Sequence, residues 1–560
     1  MSRFKTRLVR VATAGLAAAA VVLGGLGLPA AFAAEDKPGP EATASTAAPA
    51  EPESTEAPAE PTSTEASAEP ESIEASAEPA STEAPSGTEA TEAPSGTTVT
   101  PQAQEVEVQA DSDFYDITND PVFGTAFLYK YVVTSWSATN TGLKDALNKT
   151  GTYNAAKPYV ILVGASFAMS EAYTITDKNI VLRKATSTTV DQTNHSNEKP
   201  WNYAYEYGDT DAASPDQYDG VTDFMIGVDS TARHFTLAGT NAGLVTENVT
   251  LQGRNAGVNY PAIGKNSTQG GGVTLNAATN TIAVNIADVG AGSSGKTGAA
   301  IQISGSTLKT VNIRGGVLSH NHAGGFGGAA IFCNWTTGAA TINITGYTII
   351  ENNYSEAEGG AIYWNGHTTA GDTIDFRDHV IMRNNTGGDG GAIHMQGNMT
   401  VNLRGNTLIE NNRTLNVART ATLFPGNGGG IWVTGYSGTA TMVLNVYDEA
   451  TIRGNQAARG GGGIAVGNSA ASGSSTVNLY GGHIVDNAAL GTARELSGTL
   501  GSEYQLSDVY SIGGGGGIYA YDPKVIKIPA DSTVTFSGNT GAFSAFIDND
   551  YFAKDDNQKD

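Results

Sequence analysis

The sequence predicts an all-β fold, a single-stranded, right-handed parallel β-helix (solenoid) in which each repeat of the chain forms one coil, or rung. An apolar strand, an Asn turn and a Gly-Gly pair recur in this order at a spacing of about thirty residues. The apolar runs are only four to six residues long and end near Gly, Asn or Asp. Between Pro261 and Pro523 the only Pro is Pro425, as expected where most strands pair on both sides.

The repeat is clearest between Ile342 and Asn412. From the first apolar residue of each unit, another apolar residue follows at plus seven and an Asn at plus ten. Asn tolerates a left-handed backbone at a turn, and stacked Asn amides can hydrogen-bond from rung to rung. The pattern therefore predicts a structural ladder of turn residues, which consists of Asn321, Asn352, Asn384, Asn411, Asn455, Asn487 and Asn539.

Alternation within the segments that follow each Gly-Gly pair assigns their faces. The first and third positions are apolar and are expected to point inward. The first positions are Ile331, Ile362, Ile393, Ile431, Ile464 and Ile518. Cys333, the only cysteine, occupies one of the inward third positions. We therefore predict a buried thiol that acts as a small hydrophobic group. Each unit supplies three short strand runs, and the Gly-Gly pair is expected to provide positive φ at a sharp bend.

Two segments precede the folded part of the chain. Residues 1–34 have a basic start, an apolar run and the small-residue site Ala31-Phe32-Ala33, which is the pattern of a secretory signal peptide. Residues 35–104 consist mostly of Ala, Glu, Pro, Ser and Thr, with 15 acidic residues and one basic residue. Such a segment cannot bury enough apolar surface to fold, so it predicts a disordered, acidic spacer.

Residues 105–233 are less regular and are expected to form an N-terminal cap and the first irregular rungs. Leu143, Ala146 and Leu147 share one face of a short helix, which would cover the apolar end of the first rung. We expect the β-helix repeats to extend over residues 234–545, followed by a polar C-terminal tail at 546–560.

Charge limits the classes of partner. The formal net charge is −25, which argues against nucleic acid and anionic membranes, because both attract clustered Lys and Arg. No apolar run after the signal approaches the length of a spanning helix, so the mature chain is not expected to span a membrane. We expect a monomer that is extracellular, either secreted or at a bacterial cell surface. We expect no cofactor and no metal.

Short motifs carry a resemblance to a known family. Gly359-Gly360-Ala361-Ile362, Gly390-Gly391-Ala392-Ile393 and Phe536-Ser537-Gly538-Asn539 resemble the GGAI and FxxN repeats of the chlamydial polymorphic outer-membrane proteins, a family of surface β-helix adhesins. More loosely, the repeats are similar to pectate-lyase-like β-helix proteins. The resemblance covers about residues 300–541 and implies a β-helix that acts in adhesion at a surface.

Outward positions between the inward residues form a candidate ligand-binding column. It contains five flat rings, Phe332, Tyr363, His394, Trp432 and Tyr519. Two positions after the rings, Asn334, Asn365 and Gln396 would face the same way and offer hydrogen bonds. Sugars stack on aromatic platforms, and neutral glycans suit an acidic, polar surface. The alternative is that rings on successive rungs only stabilise the sheet.

A second outward series, Arg314, Arg377 and Arg404, could hold acidic sugars, or could be solvated and paired with Asp375, Asp378 or Glu410. No lyase or polygalacturonase motif is recognisable, which argues against an enzyme. The sequence therefore favours an exported cell-surface adhesin that binds glycans or host or environmental proteins. A polysaccharide lyase or glycoside hydrolase of the β-helix type and a structural stalk that presents a further domain are the alternatives.

Overall fold

The computed structural model describes residues 113–187, 189–190, 223–229, 232–253, 270–291, 300–304, 308, 310–324, 327–334, 338–366, 371–415, 426–434, 440–467, 474–491, 514–520 and 522–542. The predicted signal peptide, the acidic spacer and the C-terminal tail lie outside the described residues.

The described chain forms a parallel β-helix, as the repeat predicts. Its strands belong to three sheets of 22, ten and eight strands, and strands of successive rungs pair in parallel. A regular rung has one strand in the ten-stranded sheet, two in the 22-stranded sheet and a two-residue strand in the eight-stranded sheet. The prediction of three strand runs per rung was wrong by one, because a bend divides the run that belongs to the 22-stranded sheet.

The strands of the ten-stranded sheet are Tyr173–Thr176, Phe235–Ala238, Val273–Leu275, Ile301–Ile303, Ile331–Asn334, Ile362–Asn365, Ile393–Gln396, Ile431–Thr434, Ile464–Gly467 and Ile518–Ala520. The strands of the eight-stranded sheet are Gly290–Ala291, His322–Ala323, Tyr354–Ser355, Thr386–Gly387, Arg413–Thr414, Gln456–Ala457, Ala488–Ala489 and Thr540–Gly541.

The 22-stranded sheet begins with Phe114–Asp120, Gly124–Tyr129, Tyr159–Val163, Phe167–Met169, Asn179–Lys184, Phe224–Val228, Asn241–Gln252 and Thr279–Ala287. Its strands before the bend are Thr310–Ile313, Thr341–Ile344, Asp372–Phe376, Met399–Leu403, Thr441–Val446, Ser474–Leu479 and Ile526–Lys527. Its strands after the bend are Gly316–Ser319, Tyr347–Glu351, His379–Arg383, Leu408–Glu410, Thr451–Arg453, His483–Val485 and Thr535–Ser537.

The core is a set of apolar columns that run from rung to rung. The predicted inward Ile residues of the ten-stranded sheet are all buried, and so is Cys333. Burial, with the nearby Asp372 carboxylate, raises the pKa of the Cys333 thiol well above its usual value. After the bend the core column is Leu318, Ile350, Met382, Ile409, Ile452 and Ile484.

A column of Asn side chains crosses the rungs beside this core. Its members are Asn321, Asn353, Asn385, Asn412, Asn455, Asn487 and Asn539. The Nδ2 of Asn385 donates to Asn412 Oδ1 and to Ile350 O, both at 2.9 Å. Its Oδ1 accepts from the backbone N and the Nδ2 of Asn353. Both donors and both acceptor sites of the fully buried amide are therefore occupied.

Three predicted ladder positions were wrong by one residue. Asn352, Asn384 and Asn411 precede the column and adopt φ of 54°, 56° and 54°, in the left-handed region. Rungs that bend at a Gly-Gly pair, such as Gly315-Gly316, have one residue fewer before the Asn turn. Counting a constant number of residues from the start of each rung therefore selects, in these longer rungs, the residue before the Asn of the column.

The Gly-Gly pairs before the ten-stranded sheet leave no room for a side chain. Gly390 has φ of 68°, and a Cβ on it would lie 2.1 Å from Ile393 O. A Cβ on Gly391 would lie 2.1 Å from Gly429 O in the next rung. The first glycine thus supplies the predicted positive φ, and the second allows close packing between rungs.

The N-terminal region contains the predicted helix, Leu143–Lys149, and its Leu143, Ala146 and Leu147 are fully buried. An antiparallel hairpin of the first two strands precedes it and is not evident from the repeat pattern. Pro523–Val525 forms a 3₁₀ turn. No helix in the described part of the chain has the length and apolarity needed to cross a membrane.

We predict that Asn385→Ala lowers the free energy of unfolding by about 2 kcal/mol, because it leaves buried backbone and amide groups of adjacent rungs without partners. The matched control is Asn384→Gly. Its exposed side chain lies outside the column, and Gly adopts the left-handed conformation freely. Urea unfolding followed by circular dichroism measures the stability of both variants. Equal unfolding midpoints for the two variants would contradict a stabilising role of the Asn column.

Candidate functional site

The predicted ring column is continuous on the outer face of the ten-stranded sheet. Phe332, Tyr363, His394 and Trp432 occupy equivalent positions of four successive rungs. The rings of Phe332 and Tyr363 are stacked at 5.6 Å with an interplanar angle of 15°. Tyr363 with His394 and His394 with Trp432 pack edge to face, at 5.3 and 6.4 Å. The register of the strands thus brings the predicted rings together.

The prediction that this column is exposed was wrong for its first three members. Phe332, Tyr363 and His394 are only 2%, 4% and 3% exposed. Each of these rings packs on the ring of the next rung, so an outward direction on the strand does not leave the ring faces open. Trp432 is followed by Ala465 and is partly exposed, as is Tyr519 in the rung after that.

The predicted hydrogen-bonding residues behave differently from one another. Gln396 is partly exposed, and its Nε2 donates to Tyr363 Oη at 2.6 Å. Asn365 is buried. The side chain of Asn334 lies outside the described residues. Gln396 therefore contributes a hydrogen bond to the ring column.

His394 is a buried imidazole in an apolar position. Neither of its ring nitrogens has a hydrogen-bond partner in the described part of the chain. Burial lowers its pKa to about 3, so the ring is neutral at physiological pH. A neutral ring that packs edge to face on Tyr363 and Trp432 contributes to the column mainly as a flat apolar group.

The open end of the column forms a surface that we call the Trp432 patch, made of Trp432, Gln396, Thr434 and Tyr519. All four side chains are partly exposed. The six-membered ring of Trp432 extends over Gly467 of the next rung, where a Cβ would lie 2.4 Å from Cη2. The absence of a side chain at Gly467 therefore leaves room for the indole. The patch offers a positioned aromatic ring beside hydroxyl and amide groups.

A pair of acids on adjacent rungs was not predicted. Glu358 and Asp389 each precede the Gly-Gly pair of their rung. The Oδ1 of Asp389 accepts from Asn427 N at 2.9 Å and from Asn427 Nδ2 at 3.3 Å. Burial and the charge of Asp389 raise the pKa of Glu358 to about 7. Burial raises the pKa of Asp389 to about 6. The feature of the sequence that could have identified them is their position immediately before the Gly-Gly pair.

Other polar residues have structural partners. Asp372 accepts from the indole Nε1 of Trp364 at 3.0 Å, a role that the sequence analysis missed. Glu410 accepts from Arg453 Nε at 2.8 Å and was one of the expected acidic partners of the outward Arg series. Within the described residues, no group of three or more His, Cys, Asp or Glu side chains is arranged to hold a metal ion.

Comparison of the chain with family models, curated proteins and solved structures finds no match.

We predict that stability falls between about pH 4.5 and pH 7 through ionisation of Glu358. Its pKa is about 7 in the folded protein and ordinarily 4.5, so the folded state retains a proton that the unfolded chain has released. The stabilisation is complete below the unfolded pKa and is lost as pH rises through the folded pKa. Urea midpoints across this window should fall less for Glu358→Gln than for the unsubstituted protein; parallel curves would contradict the assignment.

We predict that His394→Phe stabilises the protein by about 1 kcal/mol at neutral pH, because it removes an imidazole that is buried without hydrogen bonds and keeps an aromatic ring. The reverse substitution in the preceding part of the column, Phe332→His, should destabilise, because Phe332 is equally buried. Thermal unfolding of both variants measures the effect. A destabilised His394→Phe protein would show that the imidazole nitrogens have a role in the native state.

Proposed function

We propose that this chain is an exported cell-surface β-helix protein that binds neutral glycans or the surface of a partner protein through the Trp432 patch. The observation that carries the proposal is the partly exposed indole of Trp432 at the open end of the ring column. The indole packs edge to face on His394, which packs on Tyr363, and it extends over Gly467. A rigid aromatic ring loses little conformational entropy when a ligand packs on it.

The chemistry of the patch favours a neutral ligand. Gln396 and Thr434 offer amide and hydroxyl groups, which can bond to sugar hydroxyls or to peptide groups. Residues 105–560 have a net charge of −15, and none of the four residues that define the patch is cationic, which disfavours an anionic ligand there. The basic, apolar and small-residue pattern of residues 1–34 supports export, and the resemblance to β-helix adhesins supports a role in attachment.

A polysaccharide-cleaving activity is the second candidate, and the pair Glu358 and Asp389 favours it. Glycoside hydrolases use two carboxyl groups, one of which keeps its proton near neutral pH. The raised pKa of Glu358 satisfies that requirement. Hydrolysis would be detected as new reducing ends that are lost in Glu358→Gln. A lyase would instead give unsaturated uronate products that absorb in the ultraviolet.

We predict that Trp432→Ala weakens binding of residues 105–560 to the ligand found on a glycan array by about tenfold or more, as for central aromatic residues of other interfaces. The matched control is Tyr153→Ala, which removes a partly exposed ring from the N-terminal region. Thermal unfolding midpoints of the two variants verify that both remain folded.

The array and the cleavage assays together separate the functions. Binding that is lost in Trp432→Ala and retained in Tyr153→Ala supports the proposal. Binding that is unchanged in Trp432→Ala would contradict the proposal that the ligand binds at the Trp432 patch. Product formation without retained binding would favour the enzyme, and neither binding nor cleavage would favour a structural stalk.

A further inference from the structure

One corner of the β-helix carries a second row of aligned side chains. The corner column, which we define as Arg314, Thr345, Arg377, Arg404, Tyr447 and Tyr480, follows the last residue of the strand before the bend in six successive rungs. Backbone hydrogen bonds keep these residues in register; for example, Arg404 N donates to Phe376 O at 2.9 Å, and Tyr447 N donates to Leu403 O at 2.9 Å.

The last three members of the corner column are stacked. The guanidinium carbon of Arg404 lies 4.0 Å from the centre of the Tyr447 ring. The rings of Tyr447 and Tyr480 are 4.8 Å apart and within 5° of parallel. A guanidinium that stacks through its face keeps its in-plane N–H donors available for a carboxylate or sulfate. Stacking on Tyr447 therefore orients Arg404 as a donor.

The donors of the corner column are little used. In the described part of the chain, the Arg404 side chain makes no hydrogen bond, and Asp375 Oδ1 is 3.8 Å from its Nε. Arg377 uses one donor, Nη2, which bonds to Asn343 Oδ1 at 2.8 Å. Arg314 is exposed, and its side chain has no partner among the described residues. The Arg404 side chain is 40% exposed.

Nearby acids are partly committed to the backbone. The Oδ2 of Asp378 accepts from Gly346 N at 3.1 Å, and the Oδ2 of Asp448 accepts from Gly405 N at 2.9 Å. No Lys occurs between Lys309 and Lys524, so the cations of this region are arginines with fixed planar donors. Because the whole chain is acidic, an anion would be held here only by directed contacts and not by net charge.

We propose that the corner column binds an acidic polysaccharide through its carboxylate or sulfate groups. Arg314, Arg377 and Arg404 take these anionic groups, and a sugar ring packs on Tyr480, which is 41% exposed at the end of the stack. Successive rungs are about 4.8 Å apart, which is comparable with the length of one sugar residue in an extended polymer. This surface is distinct from the Trp432 patch and does not depend on the proposed function of that patch.

The test measures binding of residues 35–560 by isothermal titration calorimetry to polygalacturonate, heparin and dextran, which supply carboxylate, sulfate and neither group. The double variant Arg377→Gln/Arg404→Gln should bind the preferred polyanion about tenfold or more weakly, because it loses charge-assisted hydrogen bonds. The control is Arg413→Gln, an exposed arginine of the eight-stranded sheet. It should change the affinity by less than about twofold.

Two further variants separate directed recognition from loss of folding or of charge. Arg404→Lys keeps the charge and should bind more weakly than the unsubstituted protein, since Lys lacks the planar donor pair. Asp375→Asn should bind more tightly, because it removes a competing carboxylate and keeps an acceptor for Asn402. Equal losses in Arg413→Gln and in the double variant, dextran bound as well as both polyanions, or no polyanion bound would each overturn the proposal.

Discussion

In a parallel β-helix the main neighbour of each residue is the equivalent residue of the adjacent rung, about 4.8 Å away. A side chain that faces the core must therefore find its hydrogen-bond or packing partners along a column of equivalent residues in adjacent rungs. The Asn column does so completely, because each buried amide accepts from the rung before and donates to the rung after, as at Asn353, Asn385 and Asn412. The apolar columns can then pack against a turn whose buried Asn side chains are hydrogen-bonded.

The same in-register stacking limits where charge can be placed, because like charges in adjacent rungs repel. Two arrangements in this chain avoid repulsion between like charges in adjacent rungs. Along the strands after the bend, signs alternate from Glu351 to Arg383 and from Glu410 to Arg453, with bonds of 2.8 Å within each pair. Where two acids follow each other, at Glu358 and Asp389, the pKa values are raised and the carboxyl groups keep their protons to higher pH.

The fold class could be predicted because the repeat encodes it directly, and the face of the helix around Leu143 followed from its periodicity. The register of the Asn column could not be counted from one end, since the bend before it differs in length between rungs. Where the turn has a single Asn, as in Gly454-Asn455, that Asn belongs to the column, so such rungs indicate the correct register. Alternation assigned Tyr363 and His394 to the outer face, but it contains no information on what packs there, so their burial was not predictable.

The spacing of the Asn column along the chain is far less regular than its spacing in space. Consecutive members are separated by 27 residues between Asn385 and Asn412, by 43 up to Asn455, and by 52 between Asn487 and Asn539. The side-chain hydrogen bonds between them are 2.9 to 3.0 Å long in every case. The architecture therefore separates tolerance to insertion from structural integrity, so that new surface can evolve within one rung while its neighbours keep their contacts.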